Sequence, residues 1–322
     1  MKAKYDGYTF QIRESVTRSK VSFTNRYGIK LVGDLYLPKG FTGKLPAIAV
    51  SGPFGAVKEQ CSGLYAEEMA SRGFAALAFD PSFIGESGGE ARNVASPDIN
   101  TEDFSAAVDF LINQDFIDPE KIGIIGICGF GGFAVSAAIA DPRIKATFAM
   151  TMYDMTRVSA KGYFDSADSA EERNKLRKSL SGQRTLDYRH GVPARAGGVV
   201  DPLPEDAPDF VKDYYAYYKT DRGYAERSLN SNAGWNVTSS ISLMNDKLLS
   251  YADEIENAVI LIHGEKAHSR YMSEGVFPLL KGKNKHLIIV PRASHTDLYD
   301  QKDKIPFNQI EELLDKYLGI EK

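Results

Sequence analysis

Two residues have the type and setting for nucleophilic chemistry, Cys128 and His295. Cys128 stands in KIGIIGICGFGGFAVSAAIAD, where an apolar run (122–127) meets a glycine-bounded turn and small residues then continue to about Ala140. That order predicts a strand, a tight turn and a helix. A side chain on such a strained turn is exposed at the top of a sheet, where the next backbone N–H can face an oxyanion. Gly126 and Gly129 give the turn room. A thiolate there is a strong nucleophile once a base or the helix N-terminus lowers its pKa. The competing reading is a small buried hydrophobe, the usual fate of a free cysteine. One position departs from the glycine-x-nucleophile-x-glycine pattern: Phe130 stands where the second glycine is expected, and Gly131 follows.

His295, in PRASHTDLYD directly after the last predicted strand, is the candidate base, because the chain order nucleophile, acid, histidine places the base in that loop. Of the other four histidines, His190 falls in the strandless insertion between 153 and 256, His286 begins a strand, His263 ends one, and His268 follows a strand and could face the cleft. The acid is less determined. The stretch His263-Gly264-Glu265-Lys266-Ala267 carries alanine where an aspartate is expected, which leaves Glu265 in the same loop or Asp154 after the preceding strand. Asp297 is expected to point away or cap a turn. A thiol–histidine pair ionises without help more readily than a serine pair does, so a cysteine enzyme depends less on this third group. For the oxyanion, two amides are expected: Gly129 N–H, and Phe54 N–H in SGPFG, where Pro53 has none to give. Cys61 reads as a core residue. The Gly85–Gly89 loop lacks the lysine and helix start of a phosphate cradle.

The elements that must position these groups follow from the pattern. Residues 21–24 and 29–37 alternate around Arg26-Tyr27-Gly28 as an antiparallel hairpin. Strands are predicted at 47–50, 74–79, 122–127, 144–150, 258–263 and 286–290. Helices are predicted up to Arg72, over 101–113 with Thr101 as N-cap, after Cys128, over 271–280 and over 306–318. Strand alternating with helix is the signature of a largely parallel, doubly wound α/β sheet. Between 153 and 256 the strands vanish: 169–180 and 204–228 read as helical, with a tyrosine-dense face at Tyr214, Tyr215, Tyr217 and Tyr218 and the only tryptophan, Trp235. The division expected is a core of 1–152 and 257–322 with a helical cap insertion, 153–256, over the sheet's C-terminal edge. Tyr153, Tyr214, Tyr218 and Trp235 are its candidate substrate contacts.

Composition narrows the function. At 322 residues and 43% hydrophobic the chain can bury a full core. A net charge of -4 argues against nucleic acid as a partner. The polar stretch MKAKYDGYTFQIRESV has no apolar run of roughly 7–15 residues, as a secretory signal needs, and no window reaches the ~20 of a membrane span, so the chain reads as soluble and cytoplasmic unless a leader was removed. Two cysteines make neither a metal cluster nor a disulfide framework.

In the stretches GPFGAVKEQ, FDPSFIGESGGEAR, GICGFGG, MYDMTR, GEKAHSRY and ASHTDLYD, the chain resembles the α/β-hydrolase superfamily, and the resemblance runs over nearly its whole length. Within it, the sequence is similar to dienelactone-hydrolase-related bacterial hydrolases with a cysteine at the elbow. The resemblance implies Cys128 as nucleophile, His295 as base and Phe54 with Gly129 at the oxyanion. It does not supply the acid, because the family's aspartate position is Ala267. The expected activity is cleavage of an ester, thioester or lactone of a partly apolar small molecule through an acyl-cysteine, with no cofactor and no metal; homo-oligomerisation stays open. The alternatives are acyl transfer or carbon–carbon bond cleavage on the same scaffold, and a non-catalytic ligand-binding protein.

Overall fold

In the computed structural model, which describes residues 5–321, eight strands form one sheet in the order β1-β2-β4-β3-β5-β6-β7-β8. They are β1 (Val16–Thr24), β2 (Lys30–Pro38), β3 (Leu45–Ser51), β4 (Ala75–Asp80), β5 (Ile117–Ile127), β6 (Ala146–Met150), β7 (Ala258–Gly264) and β8 (Lys285–Val290). β1 and β2 pair as an antiparallel hairpin, β2 joins β4 antiparallel, and every other neighbour is parallel. The fold is the α/β-hydrolase sheet that the strand–helix alternation implies. The first four residues of the polar N-terminal stretch lie outside the described residues.

The interior strands read as they do because both their faces are covered. β3, β4, β6 and β7 are apolar and almost wholly buried, as parallel strands between helical layers must be. Helix α1 (Cys61–Ala70) packs on β4, α2 (Pro97–Ile112) on β5 and on α3 (Gly129–Ala140), and α3 on β5 and β6. Small residues let α3 approach closely. A Cβ at Gly126 would sit 2.0 Å from the Phe130 carbonyl oxygen and 2.6 Å from the Ala134 Cβ, so only glycine fits at that point of β5.

Several boundaries differ from the sequence expectation. β1 starts at Val16, because the alternation is masked by Arg18 and Lys20, while Thr17 through Lys20 still pair residue by residue with β2. α2 is capped by Ser96, whose hydroxyl accepts from Ile99 N–H, rather than by Thr101; Pro97 at the first turn costs nothing there. The helix expected over 271–280 is α8 (Arg270–Val276) followed by a 3-10 turn, since Pro278 has no N–H to continue it.

Between β6 and β7 lie α4 (Met155–Lys161), α5 (Ala170–His190), α6 (Asp209–Tyr218) and α7 (Ser240–Asn245), with no named strand. α5 extends ten residues beyond the 169–180 expectation, to Gly191 in the left-handed conformation. The 204–228 expectation shrinks to α6, which starts after Pro208 and ends before Gly223. The chain closes with α9 (Asp297–Asp300) and α10 (Phe307–Leu318). No described helix is long and apolar enough to cross a membrane.

Gly126→Ala is expected to destabilise the fold by more than about 3 kcal/mol, because the clash is with backbone and cannot relax by a rotamer change. Chemical denaturation monitored by circular dichroism checks this against Gly182→Ala, where a Cβ meets nothing within 4 Å.

Candidate active site

Cys128 directly follows β5 and caps α3 with φ 56° and ψ −121°. A non-glycine residue held at positive φ costs about 1–3 kcal/mol and persists only where its surroundings over-determine it. Three hydrogen bonds do so: Cys128 N–H donates to the Met150 carbonyl at 2.9 Å, and the Cys128 carbonyl accepts from Gly131 N–H at 2.9 Å and Tyr153 N–H at 2.8 Å. Phe130, the departure from the glycine pattern, points its buried ring at Phe104 and Phe133, with centroids 6.1 and 5.1 Å away. The tight approaches fall at its neighbours: a Cβ at Gly129 would lie 2.6 Å from the Phe54 Cβ, and one at Gly132 2.4 Å from the Tyr153 carbonyl.

The Cys128 thiol is 7% exposed. Burial pushes it up to about 11, opposed by the nearby Tyr299 hydroxyl, the Gly129 and Phe54 amides and the Tyr214 hydroxyl, which favour the thiolate. The two amides singled out from sequence therefore converge on the sulfur.

His295 is buried, and its ring is held by hydroxyls alone. Nδ1 lies 2.8 Å from Thr151 Oγ1 and 2.6 Å from Ser269 Oγ, while Nε2 lies 3.0 Å from the Tyr299 hydroxyl. Ser269 continues to His263 Nε2 at 2.8 Å, and His263 Nδ1 to Ser273 at 2.7 Å. Burial holds His295 well below the usual histidine range, with His268 and His263 adding to it. It brings His263 down to about 3 and His268 to about 4. The resting site is thus a neutral thiol facing neutral imidazoles. The Tyr299 hydroxyl is hydrogen-bonded to His295 and lies near the Cys128 thiol, each influencing the other.

Neither carboxylate expected to orient the histidine reaches it. Asp154 caps α4: its Oδ1 accepts from Thr156 N–H and Arg157 N–H, both at 2.9 Å, and from the Thr156 hydroxyl at 2.6 Å. Glu265 is exposed and accepts from Arg292 N–H at 2.7 Å. The place an acid would occupy at Nδ1 is filled by Thr151 and Ser269. Asp297 caps its turn, accepting from Ser294 N–H at 2.8 Å and pairing with Lys304 at 2.7 Å.

A cavity of about 220 Å³ opens onto Cys128. Tyr153, Tyr214, Tyr218 and Trp235, the expected substrate contacts, all line it, joined by Tyr163, Asn230 and Tyr299. Tyr217 instead packs inward on Tyr218 and Tyr299. His268 stacks on Phe210 and bonds the Tyr153 hydroxyl. Among the described residues, no cluster of three or more His, Cys, Asp or Glu could hold a metal.

The segment before β7 holds both loops that serve this cavity. Asn230 Nδ2 donates to the Phe54 carbonyl at 2.8 Å, Ser228 Oγ to the Gly55 carbonyl at 2.8 Å, and Trp235 lies over Phe54 with centroids 3.5 Å apart. Arg222 donates to the Thr296 carbonyl at 2.8 Å and pairs with Asp300 at 2.6 Å, fixing the turn that carries His295 and Tyr299. Behind Phe54, the buried Lys58 ammonium pairs with Glu59 at 2.7 Å, Asp80 at 3.3 Å and Glu86 at 2.5 Å.

Sheet topology and elbow define an α/β-hydrolase. The X-Pro dipeptidyl-peptidase (S15) family profile matches residues 27–297, and this chain belongs to that family. It is 52% identical over 312 residues to the uncharacterized protein PA2218 of Pseudomonas aeruginosa, covering 96% of this chain and 83% of that one. It is 35% identical to the uncharacterized protein YcjY of Escherichia coli, over 88% of this chain and 93% of that protein. The crystal structure of PA2218 superposes with a TM-score of 0.94 at 50% identity, covering 98% of this chain and 99% of that one. The α/β hydrolase GrgF from Penicillium shares the fold, with a TM-score of 0.78 at 20% identity over 94% of this chain and all of that one. A shorter match, 39% identical over 132 residues and 41% of each chain, is to the thiohydrolase aneE of Aspergillus aculeatus.

Asn230→Ala releases the Phe54 carbonyl and with it the orientation of the neighbouring amide. Given that a lost oxyanion donor costs roughly 10²–10³ in kcat, a misaligned one is expected to lower kcat at least tenfold with KM changed far less. Steady-state kinetics on a nitrophenyl ester checks the split.

Proposed function

We propose that this chain hydrolyses an ester or thioester of a partly apolar acyl group through an acyl-cysteine on Cys128. The observation that carries the reading is the convergence of the Phe54 and Gly129 amides on the Cys128 sulfur at a strained strand-to-helix turn. Two such donors are what a tetrahedral oxyanion requires. The aneE relative, named a thiohydrolase, supports the thioester side. The family's name points to dipeptides, whose free ammonium needs a buried carboxylate; no Asp or Glu lines the cavity. The finer likeness to dienelactone hydrolases is kept for the elbow chemistry alone, and the segment 153–256 acts as a cap over the site.

In this mechanism the Cys128 proton passes to the Tyr299 oxygen as the Tyr299 proton passes to His295 Nε2. The thiolate attacks the acyl carbonyl, forming the C–S bond, and the oxyanion rests on Phe54 and Gly129 N–H. Collapse breaks the bond to the leaving alkoxide or thiolate, which takes the proton back from His295 by the same route. Water, losing its proton to His295, then attacks the acyl-cysteine and releases the acid and the thiol. Thr151 and Ser269 hold the ring in place of a carboxylate, so the imidazolium is stabilised by dipoles rather than by a charge.

Cys128→Ala is expected to abolish turnover of nitrophenyl esters and acyl thioesters, and unchanged turnover would remove the cysteine mechanism. Tyr299→Phe should lower kcat by roughly 10²-fold, the lower range for a general acid–base group, as measured on the same substrates. The pH dependence follows from the raised thiol. A thiol at about 11 is protonated below that value, so iodoacetamide alkylation of Cys128 should accelerate about tenfold per pH unit between pH 7 and 10. A plateau below pH 8, read by mass spectrometry, would mean a preformed ion pair.

A further inference from the structure

The cavity in front of Cys128 has an unusual polar inventory. Its lining contains no Lys, Arg, Asp, Glu or His, and its side-chain polar groups are phenol hydroxyls, the Asn230 amide, the Trp235 indole N–H and the thiol itself. Burial holds the phenols of Tyr153, Tyr214, Tyr218 and Tyr299 well above their ordinary value, so they are neutral donors. An ionised group on the acyl chain would enter this space without a counter-charge, at a cost of several kcal/mol.

Three of those donors are committed. Tyr299 is bonded to His295, Tyr153 to His268, and the Asn230 amide nitrogen to the Phe54 carbonyl. Tyr218 is different: it is 1% exposed, lines the cavity, and its hydroxyl has no hydrogen-bond partner. Its neighbours Asn230 and Tyr299 are close enough to influence it but neither meets it in hydrogen-bond geometry, and Tyr214, one helical turn away, lies near the Cys128 sulfur. A buried donor without an acceptor is costly, and the cost is recovered when a ligand brings one.

We infer that the acyl group this site accepts is uncharged and carries an oxygen acceptor close to the scissile carbonyl, a 3-oxo- or 3-hydroxyacyl group, with Tyr218 donating to that oxygen. This rests on the acyl-cysteine reading and adds to it the class of acyl group. A site built around a hydrogen bond to its substrate discriminates strongly against the analogue that lacks it.

The test compares N-acetylcysteamine thioesters of butyrate, 3-oxobutyrate and succinate on wild type and Tyr218→Phe. That substitution removes only the unpartnered hydroxyl, and a thermal melt confirms the variant is folded. Wild type should show kcat/KM for 3-oxobutyryl at least about tenfold above butyryl, with succinyl at least about tenfold below it. In Tyr218→Phe the 3-oxobutyryl to butyryl ratio should fall to about one. Equal use of the three by wild type, or an unchanged ratio in the variant, overturns the inference. If no thioester is turned over at all, the thioester side of the hydrolase reading fails instead. Calorimetry with the corresponding non-hydrolysable amides on Cys128→Ala and its Tyr218→Phe double variant then decides the inference on its own: a preference for the 3-oxo amide that vanishes with Tyr218 supports it, and equal binding refutes it.

Discussion

The backbone of Cys128 at φ 56° is the constraint on which the site depends. Its carbonyl is held by two amides, one from the turn itself (Gly131) and one from the end of the neighbouring strand's loop (Tyr153), and its N–H by Met150. Those bonds lift the sulfur off the end of β5 and face it toward the amides of Gly129 and Phe54. They also explain why glycines crowd this corner: the space a Cβ would need is already taken by Phe130, Phe54 and Tyr153 at Gly126, Gly129 and Gly132. Strain stored in one residue is offset by close packing around it.

Charge is the second theme. The catalytic corner proposed here holds a thiol, phenols, hydroxyls and neutral imidazoles, while the full charges lie one layer out, in the Lys58 cluster and the Arg222–Asp300 pair. These outer pairs fix the loops bearing Phe54 and His295. A buried ion pair is weak evidence for stability, but losing one partner is strongly destabilising, which suits groups whose task is to hold a loop in a single position. The segment between β6 and β7 takes part in the same bracing through Arg222, Arg227, Ser228 and Asn230. In this account it completes the site as well as covering it.

Much of this was legible in the sequence because it is local. Apolar runs bounded by glycine marked the parallel strands, and the placing of Cys128, Phe54 and His295 at strand ends followed from chain order. What could not be read was set by pairing across the fold. The substitution of Thr151 and Ser269 for a carboxylate leaves no spacing signature, since the two lie 118 residues apart in sequence and meet only at His295. Asp154 and Glu265 were reasonable acids by position; a helix cap and a loop amide took their oxygens instead. Tyr299 was the recoverable miss, because a residue four positions after His295, on a one-turn helix, faces the same side. The 204–228 stretch misled because its charge and aromatic pattern is helical throughout, whereas Pro208 and Gly223 confine the helix between them.

The central claim is that acyl groups pass through the Cys128 sulfur. Its most direct test is to mix wild-type protein with an acyl thioester, quench in acid within the first turnover, and map the adduct by peptide mass spectrometry. The account predicts the mass of one acyl group on the peptide containing Cys128, decaying as product acid appears. Turnover with the acyl mass found on another residue, or with none found on Cys128 at any time in the first turnover, would contradict it.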